Sequence, residues 1–422
     1  MKLRARLTAL RGGETGGPLE TDRWLLALTL VLLGAGLAMV LNASSVLSLQ
    51  QYGTAYYYFL RQALFAAIGL GALALLRHVD YHLLYRAAPA AAGLTALLMV
   101  LVLVPHVGAN IKGVAARRWI DLGPLGTLQP SELGKLAFAV FMAHWMDRRQ
   151  GRLQSASEGF LPFVIMTSAV LGVLMLQRDL GTAIVTCGIL VSIYFAGGGR
   201  KQHVAVLLAA LLVAFFLLTV VESYRQQRVS TFLDPFKDPL GAGYQPAQAL
   251  IGLGSGGLFG VGLGHSVQKY LWLPEAHTDF IFAIIGEETG LIGTTLVLAA
   301  FVLLAIRGYR TAMRAPDRFG VMLATGITTW LAFQALVNMG TVTDTLPATG
   351  VPLPFISAGG TALAISLAAM GVLLNVAAHA SAEQPTTRRR IDATADLGRR
   401  NWRTPFASTG RRPRVPRRAS GG

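Results

Sequence analysis

The chain has 422 residues, of which 53% are hydrophobic and 14% charged, and it carries a formal net charge of +16. Such a balance excludes an ordinary soluble globular domain, and the single cysteine, Cys187, excludes an intrachain disulfide framework or a thiolate metal cluster. An excess of positive charge suits either nucleic acid or membrane orientation, and its position along the chain separates the two.

A basic N-terminal segment, 1–23, with Lys2, Arg4, Arg6 and Arg11, precedes an apolar run too long for a cleavable signal and lacking a small-x-small exit. The run is therefore read as a retained first helix. About ten apolar stretches approach the roughly 20 residues that cross about 30 Å of hydrocarbon as a helix. They lie near 24–45, 58–76, 88–107, 131–146, 159–176, 181–197, 203–223, 279–305, 319–341 and 359–379. The predicted fold is an all-α integral membrane protein, a bundle of about ten transmembrane helices over 24–379. A large extracytoplasmic loop, 224–278, joins spans 7 and 8, and a disordered basic cytoplasmic tail, 380–422, follows.

Of the 37 Lys and Arg residues, 27 fall on one side of this topology: five before the first span, two, three, two and four in successive connections, and eleven in the tail. The other side holds eight, and Arg61 and Lys135 lie within or at the ends of spans. The positive-inside bias puts both termini in the cytoplasm. The tail arginines, from Arg388 to Arg418, then face anionic lipid head groups or a partner. No aromatic-interleaved motif accompanies them, so nucleic acid is not an expected ligand.

Two outer loops depart from the charge bias. The first, 108–130, reads GANIKGVAARRWIDLGPLGTLQP and carries Lys112, Arg117 and Arg118. The second, 224–278, is longer than a connector requires and includes Arg228, Lys269 and Glu275 among apolar anchors such as Tyr270 and Trp272. Its GLGSGG at 252–257 matches a dinucleotide fingerprint formally, but without a preceding strand it is read only as flexible backbone. In the next span Ala283, Gly286, Gly290 and Gly293 are expected to share a nearly side-chain-free helix face, suited to close packing.

Asp279 stands at the mouth of that span, after His277 and Thr278. It is either a helix-start residue favoured by the macrodipole or a general base. Within QPSELGK, Glu132 and Lys135 lie three apart on one helical face and are expected to pair, as membrane-embedded charges generally must. Glu287 and Glu288 pose the same question without a nameable partner. QRDLGTA, 177–183, forms a tight outer turn bringing Arg178 and Asp179 to the side of the large loop.

The segments RRWIDLGPLGTLQPSELGK, QRDLGTA, FLDPFKDPLGAGYQPAQALIGLGSGGLFGVGLG, LPEAHTDFIFAIIGEETG and QALVNMGTVTDTLPATGVPLPFISAGG together resemble the SEDS family (shape, elongation, division and sporulation). Its members are bacterial peptidoglycan glycosyltransferases, and the likeness spans about 24–379. LPEAHTDFIFAIIGEE at 273–288 is closer to the division and sporulation branch, typified by FtsW, than to the elongation branch, typified by RodA. Two positions depart from the family pattern: Ala358, where Tyr is common, and His265, where Asn is common.

The resemblance implies that lipid II, a polyprenyl-diphosphate-linked disaccharide-pentapeptide, is polymerised into glycan strands during cell division. Asp279 would act as base, with Lys112, Arg117, Arg118, Arg228 and Lys269 on the diphosphates and Glu132, Lys135 and Asp179 in support. It also implies a class B penicillin-binding transpeptidase as partner, and it admits a divalent cation such as Mg2+ or Mn2+, although no compact ligand cluster demands one. Competing readings are a RodA-like elongation polymerase, a lipid flippase or transporter, and a non-catalytic scaffold of the division machinery.

Overall fold

The computed structural model describes residues 22–104, 108, 118–121, 123, 126–210 and 231–382. Its helices are α1 (Arg23–Tyr52), α2 (Tyr57–His78), α3 (His82–Leu101), α4 (Pro130–Asp147), α5 (Leu161–Leu176, entered through a π turn at Ala156–Phe160), α6 (Leu180–Ala196), α7 (Tyr244–Gly256), α8 (Ile281–Arg314), α9 (Arg318–Val342) and α10 (Gly360–Ala382). Residues 201–210 are also helical. Among the described residues seven helices are long and apolar enough to cross a membrane; α4 and α6 are shorter or more polar. The rest of the expected seventh span, 211–223, lies outside the described residues, as do most of 1–23 and all of the tail after 382.

Local signals set the helix ends. Asp22 caps α1, accepting from the amides of Trp24 (3.0 Å) and Leu25 (3.2 Å), and Gly53 closes it with a left-handed φ of 70°. Pro130 opens α4 at the position where a missing N–H costs nothing. Asp179 caps α6, and Asp317 caps α9. The expected span at 88–107 begins earlier, at His82, because its polar first residues sit at the membrane edge, where they need not interrupt a helix.

α9 and α10 form the centre, with 67% and 78% of their most apolar membrane-length stretches buried. Small residues let them approach their neighbours. A Cβ on Gly371 would meet the backbone of Leu73 in α2, and one on Gly188 in α6 would lie 2.8 Å from the Phe333 ring of α9.

Two sequence expectations change. The loop 224–278 contains a 13-residue helix, α7, and Gly290 breaks α8 with φ 67° and ψ −162°. The four small residues from Ala283 to Gly293 therefore do not share one continuous helical face. The break has a purpose in hydrogen bonding: the freed carbonyls of Glu287 and Glu288 accept from the amides of Val261 (3.0 Å) and Gly262 (3.1 Å), while Leu291 N–H donates to Gly257 (2.9 Å). A side chain at Gly290 would strike the backbone at Leu258 and Gly260, so only glycine fits both the angle and the approach.

Candidate active site

The α1 C-terminus, the N-termini of α2, α4, α6, α8 and α10, and the segment after α9 converge at the end of the bundle opposite the N-terminus of α1 and the C-terminus of α10. Between them lies a cavity of about 890 Å³. A short hairpin, β1 (Ile120–Asp121) paired antiparallel with β2 (Thr127–Leu128), contributes to its rim. The lining includes Asp279, Glu275, His277, Arg61, Arg118 and Arg178.

Asp279 sits half-buried just before α8. Its position is fixed through its backbone: Asn338 of α9 donates from Nδ2 to the carbonyls of Asp279 and Val351, both at 2.8 Å. The same side chain thus clamps the acidic residue and the segment before α10 together. On the facing segment Gly350 has φ 69°, and a Cβ there would lie 3.3 Å from Asp279 Oδ2. His277 is buried, its carbonyl accepts from Ala358 N–H (2.9 Å) and its ring lies 4.8 Å from that of Tyr58. Burial pushes its imidazole below the ordinary value, and the Glu275 carboxylate opposes this only in part. Thr278 Oγ1 donates to Glu275 Oε2 at 2.7 Å.

Three arginines supply positive potential. Arg118 donates from Nε to Gln177 O (3.2 Å) and from Nη2 to Arg178 O, with Nη1 3.8 Å from Asp179 Oδ1. Asp179 in turn accepts from Gln129 Nε2 (3.1 Å) and from Thr182 N–H (3.2 Å). The expected tight turn at 177–183 is therefore a hub joining the first outer loop to α4 and α6. Arg178 adopts φ 58° at this turn. Arg61, in the first turns of α2, had passed in sequence as a charge inside an apolar span; a Cβ on Gly126 would overlap its guanidinium, so the loop glycine makes room for it.

The remaining expected residues divide. Lys112, Arg117 and Arg228 lie outside the described residues. Lys269 does not line the cavity: it is buried, donating from Nζ to Asn42 Oδ1 at 2.8 Å and to Gly264 O, 3.5 Å from Glu288 Oε1. This also answers the question about the paired acids. Glu288 accepts from Ser266 N–H (3.2 Å) and from Asn42; Glu287 accepts from Val267 N–H (2.9 Å), Gln268 N–H (3.3 Å) and Ser266 Oγ. Both carboxylates pin the segment 266–269 rather than face a ligand.

Glu132 and Lys135 do pair, Nζ to Oε1 at 2.8 Å, and both are almost fully buried. Lys135 also donates to Gln334 Oε1 (2.7 Å), which accepts from Trp330 Nε1 (2.8 Å), while Gln334 Nε2 reaches Pro352 O (2.8 Å). The pair therefore braces the segment at Pro352, a cavity residue. Charges buried this deeply are tolerated because they neutralise each other and the ammonium is hydrogen-bonded to Gln334, although Glu132 Oε2 has no hydrogen-bond partner among the described residues.

Residues 23–382 match the FtsW/RodA/SpoVE family of cell cycle proteins. The chain is 41% identical over 356 residues to a probable peptidoglycan glycosyltransferase FtsW of Geobacter sp. (strain M18), covering 84% of this chain and 96% of that protein. It is 41% identical over 358 residues to stage V sporulation protein E of Bacillus subtilis (strain 168), covering 85% and 97%. Among solved structures it is similar to a chain of a peptidoglycan synthase complex described as coordinating polymerization and crosslinking, with TM-score 0.71 and 30% identity over 86% of this chain and 99% of that one. The rod shape determining protein RodA of Thermus thermophilus matches with TM-score 0.62 and 29% identity over 86% and 98%.

Proposed function

Because the chain belongs to the FtsW/RodA/SpoVE family, we propose that it is a peptidoglycan glycosyltransferase that polymerises lipid II into glycan strands during cell division. The observation that carries this reading is the carboxylate of Asp279, with Glu275 nearby, in one cavity with Arg61, Arg118 and Arg178 at a single end of a multi-pass membrane bundle. A transporter places its site nearer the bilayer midplane, and a scaffold has no need of such a cavity.

In the proposed reaction, the 4-hydroxyl oxygen of the acceptor sugar attacks the anomeric carbon of the donor. A new carbon–oxygen bond forms there as the bond to the diphosphate breaks, and the hydroxyl proton passes to Asp279. The diphosphate leaves with its electron pair and needs no protonating acid, unlike the leaving group of a glycosidase. Arg61, Arg118 and Arg178 are assigned to the diphosphate oxygens, whose negative charge grows as the bond breaks. Lys112, Arg117 and Arg228 retain the same proposed role from sequence. Among the described residues no group of three His, Cys, Asp or Glu side chains could hold a metal ion; a divalent cation such as Mg2+ or Mn2+, held in part by the diphosphate itself, stays a proposal, and no step is routed through it.

The cavity is assigned to the extracytoplasmic face. Arg77, Arg86, Arg148, Arg200 and Arg314 all belong to the opposite end, which the positive-inside bias makes cytoplasmic along with both termini. By analogy with the synthase complex, a crosslinking class B transpeptidase is the proposed partner.

Purified chain in detergent, supplied with lipid II, tests the function: glycan polymer is expected, since transfer needs no sealed compartment, whereas flipping does. Asp279→Asn is expected to lower the rate by about 10²–10⁴-fold, the range for loss of a general base. A folded Asp279→Asn protein polymerising at the unsubstituted rate overturns the assignment.

A further inference from the structure

The glycine-rich stretch between α7 and Lys269 is left without a role by the proposed reaction, and its surface has an unusual distribution. Residues 252–268 contain no Lys, Arg, Asp or Glu. Leu258, Phe259, Leu263 and Val267 point outward, 61%, 79%, 71% and 59% exposed, while Ser266, Gln268 and the adjoining Lys269 are buried against Glu287 and Glu288. A loop bathed in water normally shows the reverse order, polar side chains outward and apolar ones inward.

Two helices measure how far along the bundle this segment sits. Near the termini, Trp24 of α1 lies under the Arg307 guanidinium of α8, 5.5 Å from ring centre to cation; at the other end Asn42 of α1 donates to Glu288 of α8. Trp24 to Asn42 is 18 residues, roughly 27 Å at 1.5 Å per residue, close to the hydrocarbon thickness of a bilayer. With Trp24 and Arg307 as interfacial anchors at one face, Asn42 and Glu288 mark the boundary of the other leaflet.

The amides of Val261 and Gly262 bond to Glu287 and Glu288 at that level. Leu291 and Ile292, both exposed, continue the same outward surface on α8, and their amides donate to Gly257 (2.9 Å) and Leu258 (3.3 Å). These bonds satisfy backbone groups that cannot turn to water beside lipid.

We propose that residues 257–267 form an interfacial anchor, with Leu258, Phe259, Leu263 and Val267 seated at the head-group and acyl-chain boundary of the leaflet on the cavity side. The partner is the lipid surface, reached by an apolar patch continuous with the lipid-facing side of α8. The buried carboxylates Glu287 and Glu288 hold the polar side of the anchor so that its apolar side can face outward. The inference needs only a membrane-spanning bundle, so it stands or falls separately from glycosyl transfer.

The test uses the full chain in lipid nanodiscs with Cys187→Ala as background and a bimane label at Phe259→Cys or Leu263→Cys. Leu296→Cys is the lipid-facing reference and Asp238→Cys the aqueous one. Spin-labelled lipid is expected to quench the labels at 259 and 263 as strongly as at 296, and iodide to leave them far less quenched than at 238. Iodide quenching equal to that at 238, with no effect of spin-labelled lipid, overturns the proposal and leaves the patch to water or a protein. Hydroxyl-radical footprinting of the unsubstituted chain gives a check free of mutation: Phe259 oxidised several-fold less in nanodiscs than after transfer to a denaturant supports the anchor, and equal oxidation contradicts it.

Discussion

At the end of the bundle where α1 begins and α10 ends, each turn uses a residue suited to it. Gly151 and Gly198 take positive φ, 82° and 92°, and Asp317 caps α9 while accepting from Tyr81 Oη at 2.9 Å. Asn375 closes the α2–α3 turn by accepting from Tyr81 N–H (3.1 Å) and donating to Arg77 O (2.7 Å). At the cavity end, by contrast, Arg178, Leu271, Glu275, Asp344 and Phe355 adopt positive φ without being glycine. Such residues cost about 1 kcal/mol or more each, and Arg178 and Glu275 line the cavity. One end is built for closure; the other accepts backbone strain where the proposed chemistry is, and must be held from outside.

The holding groups give the largest expected effects. Lys135→Met strands the Glu132 carboxylate in the bundle and is expected to cost about 3–5 kcal/mol, read as a lowered unfolding midpoint; Glu132→Leu with Lys135→Met should recover most of it. Stability unchanged by the single substitution would show that the brace at Pro352 is dispensable. Next come the two asparagine clamps, one at each end. Asn338→Leu leaves the carbonyls of Asp279 and Val351 without their partner, at about 1–3 kcal/mol each, and should depress turnover well beyond the change in stability. Asn375→Leu should lower stability by a similar order and leave turnover per folded molecule intact. Equal loss of turnover at both would erase the contrast between the ends.

Relief of strain is smaller. Leu271→Gly is expected to raise stability by up to about 1 kcal/mol through its left-handed φ, with a fall indicating that the Leu271 side chain matters more than its backbone. The smallest effect is a pH dependence. The buried imidazole of His277 is held below the ordinary value of 6.5, so an unfolded chain binds a proton there that the folded chain refuses. Stability should therefore decline as pH falls below about 6.5 towards the folded value, and His277→Gln should flatten that part of the profile. An identical slope in the variant would assign it to other groups.

Much of the bundle was legible in sequence because membrane helices announce themselves by length and hydropathy, while the orientation inferred from Lys and Arg belongs to the proposed function. The pairing of Glu132 with Lys135 followed from their spacing on one helix, and the tight turn at Asp179 from the short gap between two spans. Arg61 was hidden because a single charge in an apolar run reads as part of the span, although its place in the first turn of α2 was a usable signal. Lys269 was misread because its partners Asn42 and Glu288 come from distant segments that only the fold brings together. Gly290 read as packing because a helix wheel assumes an unbroken helix, and the strand of backbone that completes the break lies about thirty residues earlier.

The central claim is that Asp279 moves the proton while the arginines hold the diphosphate. It is tested most directly by measuring lipid II binding and polymerisation together for Asp279→Asn and Arg61→Gln. The account predicts that Asp279→Asn binds lipid II within a few-fold of the unsubstituted chain while its turnover falls by about 10²–10⁴-fold, and that Arg61→Gln loses affinity as well as rate. Binding lost by Asp279→Asn in proportion to turnover, with Arg61→Gln unaffected in both, would contradict it.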